Sequence, residues 1–198
     1  MKRLIIVLGI FLPLSANAVL LWDFGPTTGN YGGCWSNYTN GQNFADMVIF
    51  SDPVVVTQLN YFSCYSSPGG SSWKLKLLDD NGGIPGNYLV YADVSYSSYS
   101  FAGNFGGADI YVATFPVNLA LNANTPYWIG VSGNGFEGAQ ASVVAPGDGK
   151  MAQFSGTSYS FMTGVGDQMF QLEGYIVPEP ISVVTLAAGL LLLIRRRR

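Results

Sequence analysis

The chain holds no histidine. That removes the Ser-His-Asp and Cys-His nucleophile arrangements and the common His-bearing metal centres. Ser132 sits in Gly130-Val131-Ser132-Gly133-Asn134, which departs from G-x-S-x-G at its last position. A serine–lysine pair would have to use Lys74, Lys76 or Lys150, and alternation in Trp73–Leu78 puts the first two on a solvated strand face. Two carboxylates could support glycoside hydrolysis. The candidates are Glu137, Glu173 and the aspartates, but Glu173 alternates outward on its strand and Glu137 stands in a Gly-rich loop. No catalytic residue is expected from this inventory.

Binding chemistry is better represented. Asp79, Asp80 and Asn81, followed by Gly82-Gly83, gather carboxylate and amide oxygens in a tight turn that could coordinate Ca²⁺. The spacing is not that of an EF-hand. The same residues also make an ordinary hairpin turn, with Asn-Gly supplying positive φ. Both readings stay open, and calcium is the one cofactor the residues suggest. Two aromatic groups could stack on sugar rings: Trp35 and Tyr38, in a Gly/Asn-rich segment, and Tyr96 and Tyr99, in a Ser/Tyr run. Their alternative role is to cover the core. Cys34 and Cys64 are the only cysteines, and in an exported chain a single disulfide is the natural reading. Closing a loop of about thirty residues would contribute roughly 3.5–4 kcal/mol in the chain-entropy model.

Export is written at both ends. Lys2 and Arg3 precede an apolar run, Leu4–Leu14, and Ala16-Asn17-Ala18 is an A-x-A cleavage site. This predicts a signal helix that meets the Sec translocon and is cut by signal peptidase after Ala18. At the other end Pro178-Glu179-Pro180 precedes the uncharged stretch Ile181–Ile194 and then Arg195, Arg196, Arg197 and Arg198. Fourteen helical residues cover about 21 Å against roughly 30 Å of hydrocarbon, a short membrane helix. The arginines mark the cytoplasmic side. Between residues 19 and 180 lie three basic and all twelve acidic residues, a net charge of −9. Such a body does not suit nucleic acid, which needs a basic partner.

The intervening residues favour strands. Trp73, Leu75 and Leu77 share one face of their segment, and Phe170, Leu172 and Ile176 share a face of theirs. Ten apolar segments separated by Gly, Ser and Asn clusters predict eight to ten short strands. They are Leu20–Phe24, Phe44–Phe50, Val54–Tyr65, Trp73–Leu78, Tyr88–Tyr96, Ile110–Leu119, Tyr127–Ser132, Ala141–Val144, Met151–Phe154 and Met169–Val177. The expectation is an all-β chain: an antiparallel β-sandwich or jelly-roll ectodomain over 19–176, a signal peptide at 1–18 and a sorting segment at 177–198 with a transmembrane helix.

The order Val177-Pro178-Glu179-Pro180, apolar stretch, arginine cluster resembles the PEP-CTERM sorting signal of Gram-negative bacteria, and Ala187-Ala188-Gly189-Leu190 suits it too. The resemblance covers about one ninth of the chain. It implies an exosortase partner that removes the helix after export, and an association with exopolysaccharide and biofilm matrix. The body also resembles the choice-of-anchor domains of bacterial surfaces over about half the chain. Phe44 with Val54–Phe62, Asp79–Gly86 after a strand, and Leu121–Trp128 carry that likeness. It implies a secreted β-sandwich. The expected function is therefore a non-enzymatic, exported envelope or matrix protein, membrane-anchored or extracellular after sorting, whose body interacts with exopolysaccharide. The alternatives are a carboxylate-dependent enzyme acting on glycans and a purely structural matrix component.

Overall fold

The computed structural model describes residues 17–26, 31–35, 43–64, 66, 73–133, 140–143, 150–154, 158–163 and 166–178. These form an all-β molecule of two curled antiparallel sheets. The signal segment up to Ala16, and Glu179, Pro180 and Arg195–Arg198 of the sorting signal, lie outside the described residues. Ala18 is exposed immediately before the first strand, and Pro178 is exposed just after the last. No helix among the described residues is long and apolar enough to cross a membrane.

The strands are β1 (Val19–Asp23), β2 (Tyr31–Trp35), β3 (Asn43–Val48), β4 (Val54–Ser63), β5 (Trp73–Asp80), β6 (Pro85–Val94) and β7 (Ser98–Phe105). There follow β8 (Ala108–Leu121), β9 (Tyr127–Gly133), β10 (Gln140–Val143), β11 (Lys150–Phe154), β12 (Tyr159–Thr163), β13 (Asp167–Gln168) and β14 (Phe170–Ile176). One sheet runs β1-β14-β4-β8-β7, with β10, β13 and β2 attached toward the Ser63 end of β4. The other runs β12-β11-β3-β9-β5-β6.

The main core lies between the sheets. Val56, Leu59, Phe115 and Leu172 from the first meet Val48, Leu75, Leu77 and Ile129 from the second. Trp73 packs at 5.8 Å from Tyr61 and 5.4 Å from Phe115, between ring centroids. Such aromatic pairs contribute about 0.5–1.5 kcal/mol beyond the area they bury. Trp73, Leu75 and Leu77 point inward, as their alternation predicts.

All ten expected segments contain strands, and four more were not expected: β2, β7, β12 and β13. β7 carries Ser, Gly and Asn, and only three of its eight residues are even half-buried, so the apolar period of two is absent. Pairing with β8 from Ser98 to Phe105 makes it a strand regardless.

Two alternation readings need correction. Lys76 was expected in solvent beside Lys74, but it is completely buried. The outer face of β5 is covered because the second sheet curls over it. Ile176 was expected inside with Phe170 and Leu172, yet it is 52% exposed. Phe170, Leu172 and Gly174 keep the period of two and are buried, but Ile176 ends the strand and lies past the buried stretch.

Curling follows from one contact. β6 and β12 are the two edges of the six-stranded sheet, about 24 Å apart if it were flat. Yet the hydroxyls of Tyr88 on β6 and Tyr159 on β12 lie 3.5 Å apart. Small residues floor the concave side: Ala152 faces Ala45, and Gly130, opposite Lys76, lies against β3. Ala45, Ala152, Leu78 and Trp128 form a second, smaller core there, with Met47 and Tyr159 packed against it.

Candidate functional site

The seam where β6 meets β12 opens into a cleft of about 360 Å³ beside the β5–β6 turn. Asn81, Asn87, Tyr88, Phe154, Ser158 and Tyr159 are among its lining residues. That volume falls within the roughly 300–1,000 Å³ typical of small-molecule sites.

The turn is built by its own sequence. Gly82 and Gly83 take φ of 69° and 91°, the left-handed region that glycine enters without a Cβ clash. Asp80 accepts the Gly83 N–H at 3.0 Å and the Trp128 indole N–H at 2.9 Å, which fastens the turn to β9. Asp79 accepts from the backbone and side-chain N–H groups of Asn87. A Cβ on Gly86 would lie 2.1 Å from the Asp79 carboxylate, so glycine is required for that contact. Asn87 and Tyr88 are thereby set at the rim.

Aromatic rings form the wall. Tyr88 lies 4.9 Å from Tyr91, and Tyr159 lies 5.1 Å from Phe154, between centroids. Tyr88 is 46% exposed, while Tyr159 is half-buried. Burial, reinforced by the hydrogen bond with Tyr88, drives the Tyr159 hydroxyl far above the ordinary tyrosine range. It stays neutral at any physiological pH. Amides, hydroxyls and exposed ring faces can bind a polyol: C–H faces stack on rings while hydroxyls meet Asn and Ser.

Lys76 lies beneath the same face. Its ammonium donates to the Phe44 carbonyl at 3.3 Å, and a Cβ on Gly130 would lie 2.2 Å from that same oxygen. Burial pushes the amine down to about 7. Ser132 is also buried, which keeps substrate from both residues. Lys74, by contrast, pairs with Asp93 at 2.6 Å, and that bond raises its pKa.

The expected site residues are scattered. Asp79 and Asp80, successive on one strand, turn to opposite sides, and their oxygens hold the turn and β9 as described above. Among the described residues no group of three or more His, Cys, Asp or Glu could hold a metal ion. Tyr99, on β7 of the other sheet, and Tyr96, in the β6–β7 link, cover the main core. Tyr96 lies 6.4 Å from Phe115, Tyr99 stacks on Tyr111 at 5.9 Å, and burial raises the Tyr99 pKa. Trp35 and Cys34 belong to β2, whose side chains are outside the described ones, as is all of Tyr38. Among the described residues no cysteine is free, and Cys64 is disulfide-bonded. Its pairing with Cys34, the only other cysteine, is a proposal.

Glu137 lies outside the described residues, and Glu173 accepts from Asn60 at 2.7 Å on the first sheet. Of the candidate aspartates, Asp46 and Asp167 are fully buried, and Asp46 accepts the Gln168 N–H at 2.8 Å. Neither lines the cleft. Tyr88, Phe154 and Tyr159 were missed as a group. The segments of Tyr88 and Phe154 were expected as strands and that of Tyr159 was not, and no local signal says that β6 and β12 meet.

Comparison with protein-family models, with curated proteins and with solved structures gives no match.

Proposed function

We propose that this chain is an exported envelope or matrix protein whose body, a β-sandwich of the jelly-roll kind, binds uncharged exopolysaccharide in the cleft at Tyr88, Phe154 and Tyr159. The signal segment directs Sec export and is removed after Ala18. The 177–198 segment is an exosortase-type sorting signal that holds the body outside the membrane until it is cut. The observation that carries the binding reading is the cleft itself: neutral aromatic hydroxyls and amides converge on a cavity of about 360 Å³ at a sheet seam. The charge of −9 between residues 19 and 180 disfavours anionic polymers and leaves neutral sugars as the fitting class. The protein acts by binding and is not an enzyme.

Affinity electrophoresis through gels containing the host's own exopolysaccharide tests this. The exported protein is expected to be retarded, and Tyr88→Ala with Tyr159→Ser to migrate freely while keeping a cooperative melting transition. Equal retardation of the folded double variant would exclude this cleft as the glycan site.

A further inference from the structure

β14 ends at Ile176, antiparallel to β1, with Val19 opposite Gly174. Both leave the sheet at the end that also carries the β3–β4 link. The Val177 N–H donates to the Pro53 carbonyl at 2.8 Å, which pins the departing chain to that link. Around this exit the apolar side chains are bare: Val19 is 48% exposed, Leu20 51%, Ile49 46%, Ile176 52% and Val177 36%. A groove of about 160 Å³ between Val19, Leu20, Phe50, Val54 and Ile176 belongs to the same patch.

Isolated exposed apolar residues need no explanation, but a contiguous group at one end marks an interaction surface. Chain length names the occupant. From Ile176 to Ile181, where the uncharged stretch begins, there are five steps, at most about 17 Å even if fully extended. If 181–194 enters the bilayer, this end of the body cannot lie farther from it. Side-chain charge adds no attraction at this end, since the lysines at 74, 76 and 150 belong to the other sheet and Asp52 at the groove's rim is acidic, so the contact rests on the apolar side chains.

We infer that the Val19–Leu20, Ile49 and Ile176–Val177 surface rests on the lipid headgroup boundary while the 181–198 segment is inserted, holding the ectodomain upright on its own membrane. This rests on the membrane reading of the 181–198 segment, and it is independent of the glycan cleft.

The test uses the chain from residue 19 to residue 198, without the signal segment, in vesicles whose acyl chains are brominated near the headgroups. Tryptophan is introduced singly as Ile49→Trp, Ile176→Trp or Phe101→Trp. Phe101 pairs Tyr111, which pairs Ser63, nine residues along β4 from Val54 and so about 30 Å away. The added emission of the first two variants should fall by about half, as expected of side chains seated in the headgroup boundary, and that of Phe101→Trp should not change. Carbonate-resistant retention reports insertion of the tail separately. Retention without quenching at positions 49 and 176 would overturn this inference alone, and so would concentration-dependent pairing of two copies through the patch. Loss of retention would overturn the membrane reading beneath it.

Discussion

At the residue scale, Lys76 sets a pH dependence. In the unfolded chain its amine stays protonated to its ordinary value of 10.5, whereas in the folded protein burial lowers it to about 7. Between those values the unfolded state binds the extra proton, so stability must rise with pH across that window. Tyr159 and Tyr99 act oppositely. Their pKa values are raised by burial, so their unfolded forms ionise first and stability falls above about pH 10. Urea unfolding at pH 6.5 and 9.5 should show a gain on the order of 2 kcal/mol for the parent chain. Lys76→Met should abolish that gain and add about 1–3 kcal/mol at pH 6.5, since an apolar chain of similar length avoids the desolvated charge. A variant that keeps the parent's pH profile would show that Lys76 is not the titrating group. Nothing in the alternation of Trp73–Leu78 distinguished Lys74 from Lys76. The difference lies in what covers the neighbouring rows: Lys74 stands beside Asp93 and Tyr91, whereas Lys76 stands opposite Gly130, against the small-residue floor.

At the element scale, the β5–β6 hairpin connects stability to the cleft. Gly86→Ala would thrust a methyl group into the Asp79 carboxylate and break its hold on Asn87. A loss of about 1–3 kcal/mol is expected, with weaker glycan retardation because Tyr88 follows directly. Unchanged thermal unfolding in this variant would show that the Asp79 contact is dispensable. The short β2 and β10 strands depend on a different support. If Cys34 and Cys64 are bridged, reduction should cost roughly 2–4 kcal/mol and lower the melting temperature. Mass-labelling of the exported, unreduced protein should find no reactive thiol, and two labelled cysteines would remove the Cys34–Cys64 pairing. The hairpin was legible because glycines at positive φ and paired acids have local signatures. β7 and β12 were not, because a Ser/Gly-rich or very short edge strand is defined by its partner's hydrogen bonds.

At the scale of the whole molecule, the first and last described strands are neighbours, so the proposed signal-cleavage position and the proposed sorting segment adjoin one end of the body. Replacing Pro178-Glu179-Pro180 by alanines should leave an uncleaved, membrane-retained chain in the host. Intact mass of the membrane and extracellular fractions reads this directly, and normal processing of the variant would remove the sorting reading. The same fractions show whether the chain is tethered, released, or present in both states.

Sequence alone carried the all-β class, the positions of ten strands and the inward face of β5, because turn residues and a period of two are local and steric. It also carried the expectations of export and sorting, which rest on contiguous segments. Tertiary structure decided the rest. Edges of a six-stranded sheet meet only when that sheet curls, and the curl depends on small residues from three strands aligning across it. That non-local arrangement buried Lys76, moved the aromatic wall from Tyr96 and Tyr99 to Tyr88, Phe154 and Tyr159, and opened the cleft beside the Asp79–Gly83 turn.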